Sequence, residues 1–257
     1  MLGDYLAERR KRKCEQSLLE FFREAWAVLE PETKFIDSWH YQLIAEYLQL
    51  ITRGQFRRQF PGKIGIIFNQ PPRTAKSSLI SICWPCWSWI AKPSLRFLCA
   101  SYSDQLATEH SMARRNLLLS RWYQRNWGNR FSLSPDRNRL SDFGNDRMGF
   151  MVGTSVGGTV TGLGGDICIG DDLLSQDDAF SEAARSATNR WLDGTFSTKL
   201  NDPSSGAFVH VSQRLALDDP TGHLLSQAPE QWQHVKIPLV CEEEAVYEFP
   251  EGAEVIG

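Results

Sequence analysis

The segment that most constrains this chain is Gln70-Pro-Pro-Arg-Thr-Ala-Lys-Ser-Ser78. It follows the apolar run Lys63-Ile-Gly-Ile-Ile-Phe-Asn69 and precedes a second apolar stretch, Leu79 to Ala91. The first run reads as a buried strand, the double proline as the start of a tight loop, and the second stretch as a helix. A strand that fixes a loop feeding a helix N-terminus turns backbone N–H groups toward an anion, and the helix dipole adds to them. In such a loop Lys76 reaches the β- and γ-phosphates of a nucleotide, and the Ser77 hydroxyl coordinates Mg²⁺. The pattern G-x-x-x-x-G-K-[ST] is met imperfectly, because Gln70 and Ala75 stand in its glycine positions. Taken alone, the loop is matched equally by a plain strand–turn–helix with an exposed lysine.

A phosphate loop of this kind needs an apolar strand that ends in an acidic residue and holds the Mg²⁺ shell. Ile167-Cys-Ile-Gly-Asp171-Asp172 has that form. Asp171 would sit at the carboxyl end of its strand, in the crevice where open α/β sheets bind ligands. Asp172 is then a candidate general base for an attacking water. An Asp-Asp pair after a strand also serves as a turn or a helix N-cap. The order of the two motifs favours a nucleotide site, with a strand and a helix between them.

Periodicity organises the rest. Helical spacing runs from Glu15 to Leu29, where Pro31 ends it, and from an N-cap at Ser38 to Ile51. After the helix from Lys76 to about Ala91 come a strand at Leu95–Ala100 and a helix from Asp104 to about Leu119. A strand follows at Arg147–Val152, then a Gly/Thr-rich loop from Gly153 to Gly165, the acidic strand, and a helix from about Ala179 to Leu200. Ala207–Ser212 is a strand, Asp219–Gln227 a short helix, and His234–Pro238 an edge strand. Strands alternating with helices imply crossover connections and a mainly parallel sheet covered on both faces.

At 257 residues and 42% hydrophobic, the chain can bury a sizeable core. No run reaches the ~18 apolar residues of a membrane span, and the N-terminal Arg9-Arg-Lys-Arg-Lys13 has no apolar h-region behind it. Six scattered cysteines suit a reducing compartment, so a soluble protein of the cytoplasm is expected. Residues 1–139 hold 22 Lys/Arg against 12 Asp/Glu, whereas residues 140–257 hold 6 against 19. A basic half beside an acidic half suits a polyanion on one side, and equally suits surfaces that complement each other.

Two further clusters carry reactive or cationic side chains. Cys83-Trp-Pro-Cys86 lies inside the helix begun at Lys76 and has no second cysteine pair, so it reads as core. Arg114-Arg115, Arg121-Trp-Tyr-Gln-Arg125, Trp127 and Arg130-Phe131 interleave arginines with aromatics. That pattern suits phosphate contacts with stacking, and equally an amphipathic helix with buried rings and solvated arginines.

Together these segments resemble the ATPase domain of bacteriophage terminase large subunits, the motors that package viral DNA. The resemblance spans nearly the whole chain. It is carried by Trp39-His-Tyr-Gln42, the Pro-Pro-Arg-x-x-Lys-Ser loop at 71–77, and Ser101-Tyr-Ser103 with Leu106-Ala107. Gly158-Thr-Val-Thr-Gly162, Asp171-Asp172, Gln213-Arg214 and Asp218-Asp-Pro-Thr-Gly-His-Leu-Leu225 complete the series. The double proline before the loop arginine is its most distinctive part.

The resemblance implies an α/β, RecA-like (ASCE) P-loop ATPase fold. It places ATP on Pro72, Arg73, Thr74, Ala75, Lys76, Ser77 and Ser78, with Mg²⁺ on Ser77 and Asp171. Asp172 stands where family members often carry the catalytic glutamate, beside Lys76 and Arg73 in the catalytic set. Arg73 would sense or stabilise the γ-phosphate, for which a planar guanidinium is suited; it serves equally as a loop-packing salt bridge. Gln42 would read the adenine edge or remain a surface glutamine. Ser212, Gln213 and Arg214 form the coupling segment. Arg114, Arg115, Arg121 and Arg125 are candidates for DNA contact or for action in trans on a neighbouring subunit.

Implied partners are double-stranded DNA, a portal protein, a small terminase subunit, and further copies in a ring, with a monomer expected in isolation and no membrane. Residues 1–60 are expected to form a helical region attached to a core over 61–241. Residues 242–257 are expected to be an acidic linker toward a nuclease domain that this excised chain lacks, so nuclease activity is not expected. Three departures stand out. Ala75 replaces glycine, so its backbone either avoids positive φ or bears roughly 1–2 kcal/mol of strain. Asp172 is one methylene shorter than glutamate, and Gln213 replaces a small hydroxyl residue. Slow intrinsic hydrolysis is expected. Two alternatives stay open: a helicase-like or recombinase-like ATPase on other nucleic acid, and a nucleotide-binding structural module without turnover of its own.

Overall fold

Side chains alternate across a strand, and here that alternation builds two cores on one sheet. The computed structural model describes residues 2–158, 160, 162–240, 246–250 and 254–256. The sheet comprises β1 (Gly65–Asn69), β2 (Arg96–Ser101), β3 (Leu133–Asn138), β4 (Asp142–Asn145), β5 (Phe150–Ser155), β6 (Ile167–Asp171), β7 (Ala207–Ser212) and β8 (Trp232–Lys236). Their spatial order is β3-β4-β5-β2-β6-β7-β1-β8. From β5 to β8 every pairing is parallel, while β3 and β4 extend the sheet antiparallel. The architecture is α/β and RecA-like, with β7 inserted between the loop-bearing β1 and the acidic β6.

Ile66 and Phe68 of β1, Phe97 and Cys99 of β2, Ile167 and Ile169 of β6, and Val209 and Val211 of β7 enter the larger core. It is covered by α1 (Leu2–Gln16), α2 (Leu18–Leu29), α3 (Trp39–Arg53), α4 (Phe56–Gln59), α5 (Trp84–Ala91), α6 (Asp104–Leu119) and α7 (Arg121–Trp127). The intervening residues Ile67, Leu98, Cys168 and Phe208 point to the other face. There α8 (Glu182–Gly194) supplies Trp191 and Leu192, and α9 (Pro220–Gln227) supplies Leu224. Residues 14–60 therefore share their core with the sheet.

Several expected boundaries move. The helix expected from Glu15 is two helices, because Ser17 caps α2 by accepting a hydrogen bond from Glu20 N at 3.3 Å. Ser38 does stand at the N-cap of α3, but its hydroxyl pairs with His40 Nδ1 at 2.7 Å. The helix expected over 76–91 winds as a π-helix at Ser78–Cys83 before α5 begins. The strand expected at Arg147–Val152 starts later, because Met148 takes a positive φ of 68° in a turn held by Asn145 Oδ1. The β3–β4 pair, mostly polar in sequence, carries no strand signal that the periodicity could show. The helix expected from Ala179 to Leu200 shortens to α8 between two 3₁₀ turns.

Within the expected acidic linker, β9 (Val246–Glu248) pairs antiparallel with β10 (Glu254–Ile256). The remaining positions of 242–257, apart from Phe249 and Pro250, lie outside the described residues, as do Thr159 and Thr161 of the Gly/Thr-rich loop. No helix among the described residues is long and apolar enough to cross a membrane.

Candidate phosphate-binding site

The parallel register carries the functional segments to one end of the sheet. Asn69, the last residue of β1, lies opposite Ser212 of β7, and Asp171 of β6 lies opposite Val211. The loop that leaves β1 turns through two left-handed residues, Arg73 at φ 61° and Ala75 at φ 52°. Thr74 Oγ1 braces it by donating to the Pro71 carbonyl at 2.7 Å. Ala75 thus occupies the glycine conformation rather than avoiding it, and bears its steric cost. Gln70 at the loop base is 3% exposed, and both polar atoms of its side chain lack a partner.

Beneath the loop the two motifs come together. Lys76 Nζ lies 2.5 Å from Asp172 Oδ2. Asp172 is itself left-handed at φ 46°, held there by its N–H on Val211 O at 2.9 Å and by Tyr102 N–H on its carbonyl at 3.1 Å. Burial, then the neighbouring Asp171 charge, pushes the Asp172 carboxyl upward, while Lys76 and the Gln213 backbone oppose that shift. A raised carboxyl beside a lysine is the electrostatic state expected of a proton acceptor.

Asp171 is 2% exposed. Its Oδ2 accepts a hydrogen bond from Ser81 Oγ at 2.6 Å and lies 3.7 Å from His110 Nδ1, whereas its Oδ1 has no partner. A buried carboxylate oxygen without a donor fits a hard divalent cation. No group of three His, Cys, Asp or Glu forms a metal cluster among the described residues. Mg²⁺ would then take few protein ligands, Asp171 and the Ser77 hydroxyl, and fill its shell with phosphate and water oxygens, as that ion prefers. Ser77 and Ser78 stand half-buried at the start of the helical segment.

The other predicted residues divide. Arg73 is exposed at the loop apex and has no ion-pair partner among the described residues. Gln42 is exposed on α3 and donates to Glu46 Oε1 at 2.9 Å. Its neighbour His40 is the residue that approaches the loop: burial lowers its pKa, against the opposing influence of the Thr74 backbone. Ser212 joins a buried network in which Asn69 Nδ2 donates to Ser212 Oγ at 3.1 Å and Thr221 Oγ1 at 3.0 Å. Asn69 Oδ1 lies 2.8 Å from His234 Nε2, which must therefore carry the proton. His210, also at Ser212 Oγ, is buried and its pKa falls to about 4. Arg214 is held by Asp219 Oδ2 at 3.0 Å, and Gln213 is half-buried.

Arg114 requires a correction. It is fully buried and donates to the Ser81 carbonyl at 2.8 Å, so it offers nothing to DNA or to a neighbouring subunit at the surface. Helical phase explains this, because the inward face of α6 carries Ala107, Ser111, Arg114 and Leu118. The stacking role of the aromatics is corrected too. Tyr123 and Trp127 are fully buried, and with Trp122 they pack on Phe21 of α2 at centroid distances of 5.2–6.2 Å. Arg121 and Arg125 are exposed, and Arg115 Nε bonds Asn138 Oδ1 at 2.9 Å. Cys83 and Cys86 are buried free thiols. Ser81 and His110, both at Asp171, belong to no motif legible in the sequence. Pro85, four residues after Ser81 in a helical stretch, was the sequence signal for the first; His110 had none.

No protein-family model matches the sequence, and no curated protein matches it by sequence. Among solved structures the chain is similar to the HK97 bacteriophage large terminase, with a TM-score of 0.55 and 12% identity. The match covers 89% of this chain and 45% of that one, so the chain spans under half the length of that structure. At this identity the likeness shows a shared fold: this chain has a terminase-like α/β architecture.

Proposed function

We propose that the chain is the ATPase motor domain of a terminase large subunit, which couples ATP hydrolysis to movement of double-stranded DNA into a procapsid. The observation that carries this proposal is the meeting of Lys76, Asp171 and Asp172 beneath a left-handed loop at the carboxyl ends of β1 and β6. Lys76 binds the β- and γ-phosphates when it leaves Asp172, so its ammonium changes partner from carboxylate to phosphate. Asp172, freed from Lys76, orients water and accepts its proton. Asp171 and Ser77 hold Mg²⁺, which when bound neutralises phosphate charge. In this reading Arg73, exposed on the loop, meets the γ-phosphate, and Ser212–Arg214 carry its loss toward α9. Portal protein, small subunit and further copies in a ring are the corresponding partners, and the host cytoplasm the site of action.

A second assignment, a nucleotide-binding module without turnover, is favoured by the direct Lys76–Asp172 pair, which occupies both groups at once. ATPase assays with and without duplex DNA separate the two. Under the motor assignment, Lys76→Ala and Asp172→Asn each lower kcat by about 100-fold or more. Full activity in Lys76→Ala removes the nucleotide site altogether. Tight ATP binding with no turnover under any condition leaves the structural module.

A further inference from the structure

Ser81 lies one helical turn beyond the loop serine, and three features meet on it. The first is Pro85. A proline lacks an N–H and its ring crowds the carbonyl four residues earlier, which here belongs to Ser81. The chain relieves this by widening into the π-helix of Ser78–Cys83, closed by Trp84 N–H on the Leu79 carbonyl five residues back.

The second feature is Arg114. The widened turn leaves the Ser81 carbonyl to a donor from outside the helix, and Arg114 Nη1 supplies it at 2.8 Å. This guanidinium is fully buried and makes no ion pair among the described residues; its Nε and Nη2 have no partner. Such a group is costly to bury. The third feature is the Ser81 hydroxyl, which donates to Asp171 Oδ2 at 2.6 Å, a short charge-assisted bond between buried atoms. Arg114 and Asp171 therefore share one desolvated region, joined through Ser81.

We propose that Ser81 and Arg114 are positioning residues for Asp171. Ser81 fixes Oδ2, which leaves Oδ1 as the oxygen that faces a cation and leaves the Ser77 hydroxyl free for the same ion. Arg114 holds the π turn in the register that carries Ser81 to the carboxylate. This inference rests on the assignment of Asp171 as the cation carboxylate of the proposed ATPase site. Carboxylates whose orientation is set by hydrogen-bonded neighbours typically lose about 10- to 100-fold in metal affinity when the neighbour is removed.

The test compares Ser81→Thr with Ser81→Val, two side chains of equal shape of which only the first keeps a hydroxyl. Mn²⁺ serves as the spectroscopic probe, titrated by electron paramagnetic resonance in the presence of ADP, with urea unfolding as a check on folding. Ser81→Thr is expected to bind Mn²⁺ like wild type and Ser81→Val about 10- to 100-fold more weakly. Apparent Mg²⁺ dependence of turnover should shift in parallel, with KM for ATP unchanged at saturating Mg²⁺. Arg114→Lys, which keeps the charge and loses the fork, should weaken Mn²⁺ binding in the same direction. Equal Mn²⁺ affinity in Ser81→Thr and Ser81→Val overturns the relay. Lys76→Ala keeps the two questions apart. If it leaves ADP binding intact, the nucleotide site itself fails. If it abolishes ADP binding while the Ser81 pair is indistinguishable in wild-type background, only the relay fails.

Discussion

Ala75 shows what a single missing glycine does. Its φ of 52° lies in the left-handed region, where Cβ approaches the following carbonyl at a cost of roughly 1–2 kcal/mol. Ala75→Gly removes that clash, and the greater freedom of glycine in the unfolded chain takes back part of the gain. A net stabilisation of about 0.5–1 kcal/mol is expected in urea unfolding, and Ala75→Val should instead lose about 1–2 kcal/mol. If Gly proves neutral or worse, the backbone at 75 is not strained in solution. Both motifs were legible in the sequence because Lys76, Asp171 and Asp172 act through residue type and order. The pairing of Lys76 with Asp172 was not, since contact between residues so far apart in the chain depends on the sheet order. Arg114 was misread for a related reason: an arginine inside an amphipathic helix looks solvated until the packing phase is known.

At the scale of elements, the segment after β7 is built around one carboxylate. Asp219 is 2% exposed; its Oδ1 caps α9 by accepting from Gly222 N at 2.9 Å. Its Oδ2 accepts from Arg214 Nε at 3.0 Å and Leu215 N at 2.9 Å. The turn is so tight that a Cβ at Gly222 would lie 1.8 Å from the Leu217 carbonyl oxygen. Asp219→Ala removes the cap and strands backbone donors, so a loss of about 2–3 kcal/mol is expected. Asp219→Asn keeps the cap and gives up the charged pairing with a partly exposed arginine, which should cost about 1 kcal/mol. Equal effects of the two substitutions would show that the cap contributes nothing. The Asp-Pro start of α9 was readable beforehand, as were the apolar strands. The π-helix was not, because the sequence shows where Pro85 breaks an α-helix but not that Arg114 donates to the released carbonyl.

For the whole molecule, the charge split becomes a question of where the basic half presents free cations. Arg10 and Lys11 of α1 and Arg125 of α7 line a common cleft of about 190 Å³ with Trp122 and Asn126. Arg10, Arg121 and Arg125 are exposed and without ion-pair partners among the described residues, whereas Arg12 is tied to Glu8 and Arg130 to Glu15. Under the proposed motor function this α1–α7 face is where a duplex backbone would lie, and phosphate contacts there are purely electrostatic and sequence-independent. Each cation that neutralises a phosphate releases counterions, so its loss lowers the slope of log affinity against log salt by about 1. Arg10→Gln with Arg125→Gln should therefore weaken binding to unrelated duplexes alike and flatten that slope by about 2. ATP binding should not change, because neither residue belongs to the loop. Measurement by fluorescence anisotropy across a salt series decides the matter. A slope equal to wild type would move the DNA path off this face, and the excess of positive charge in residues 1–139 would then complement the acidic half of the same fold.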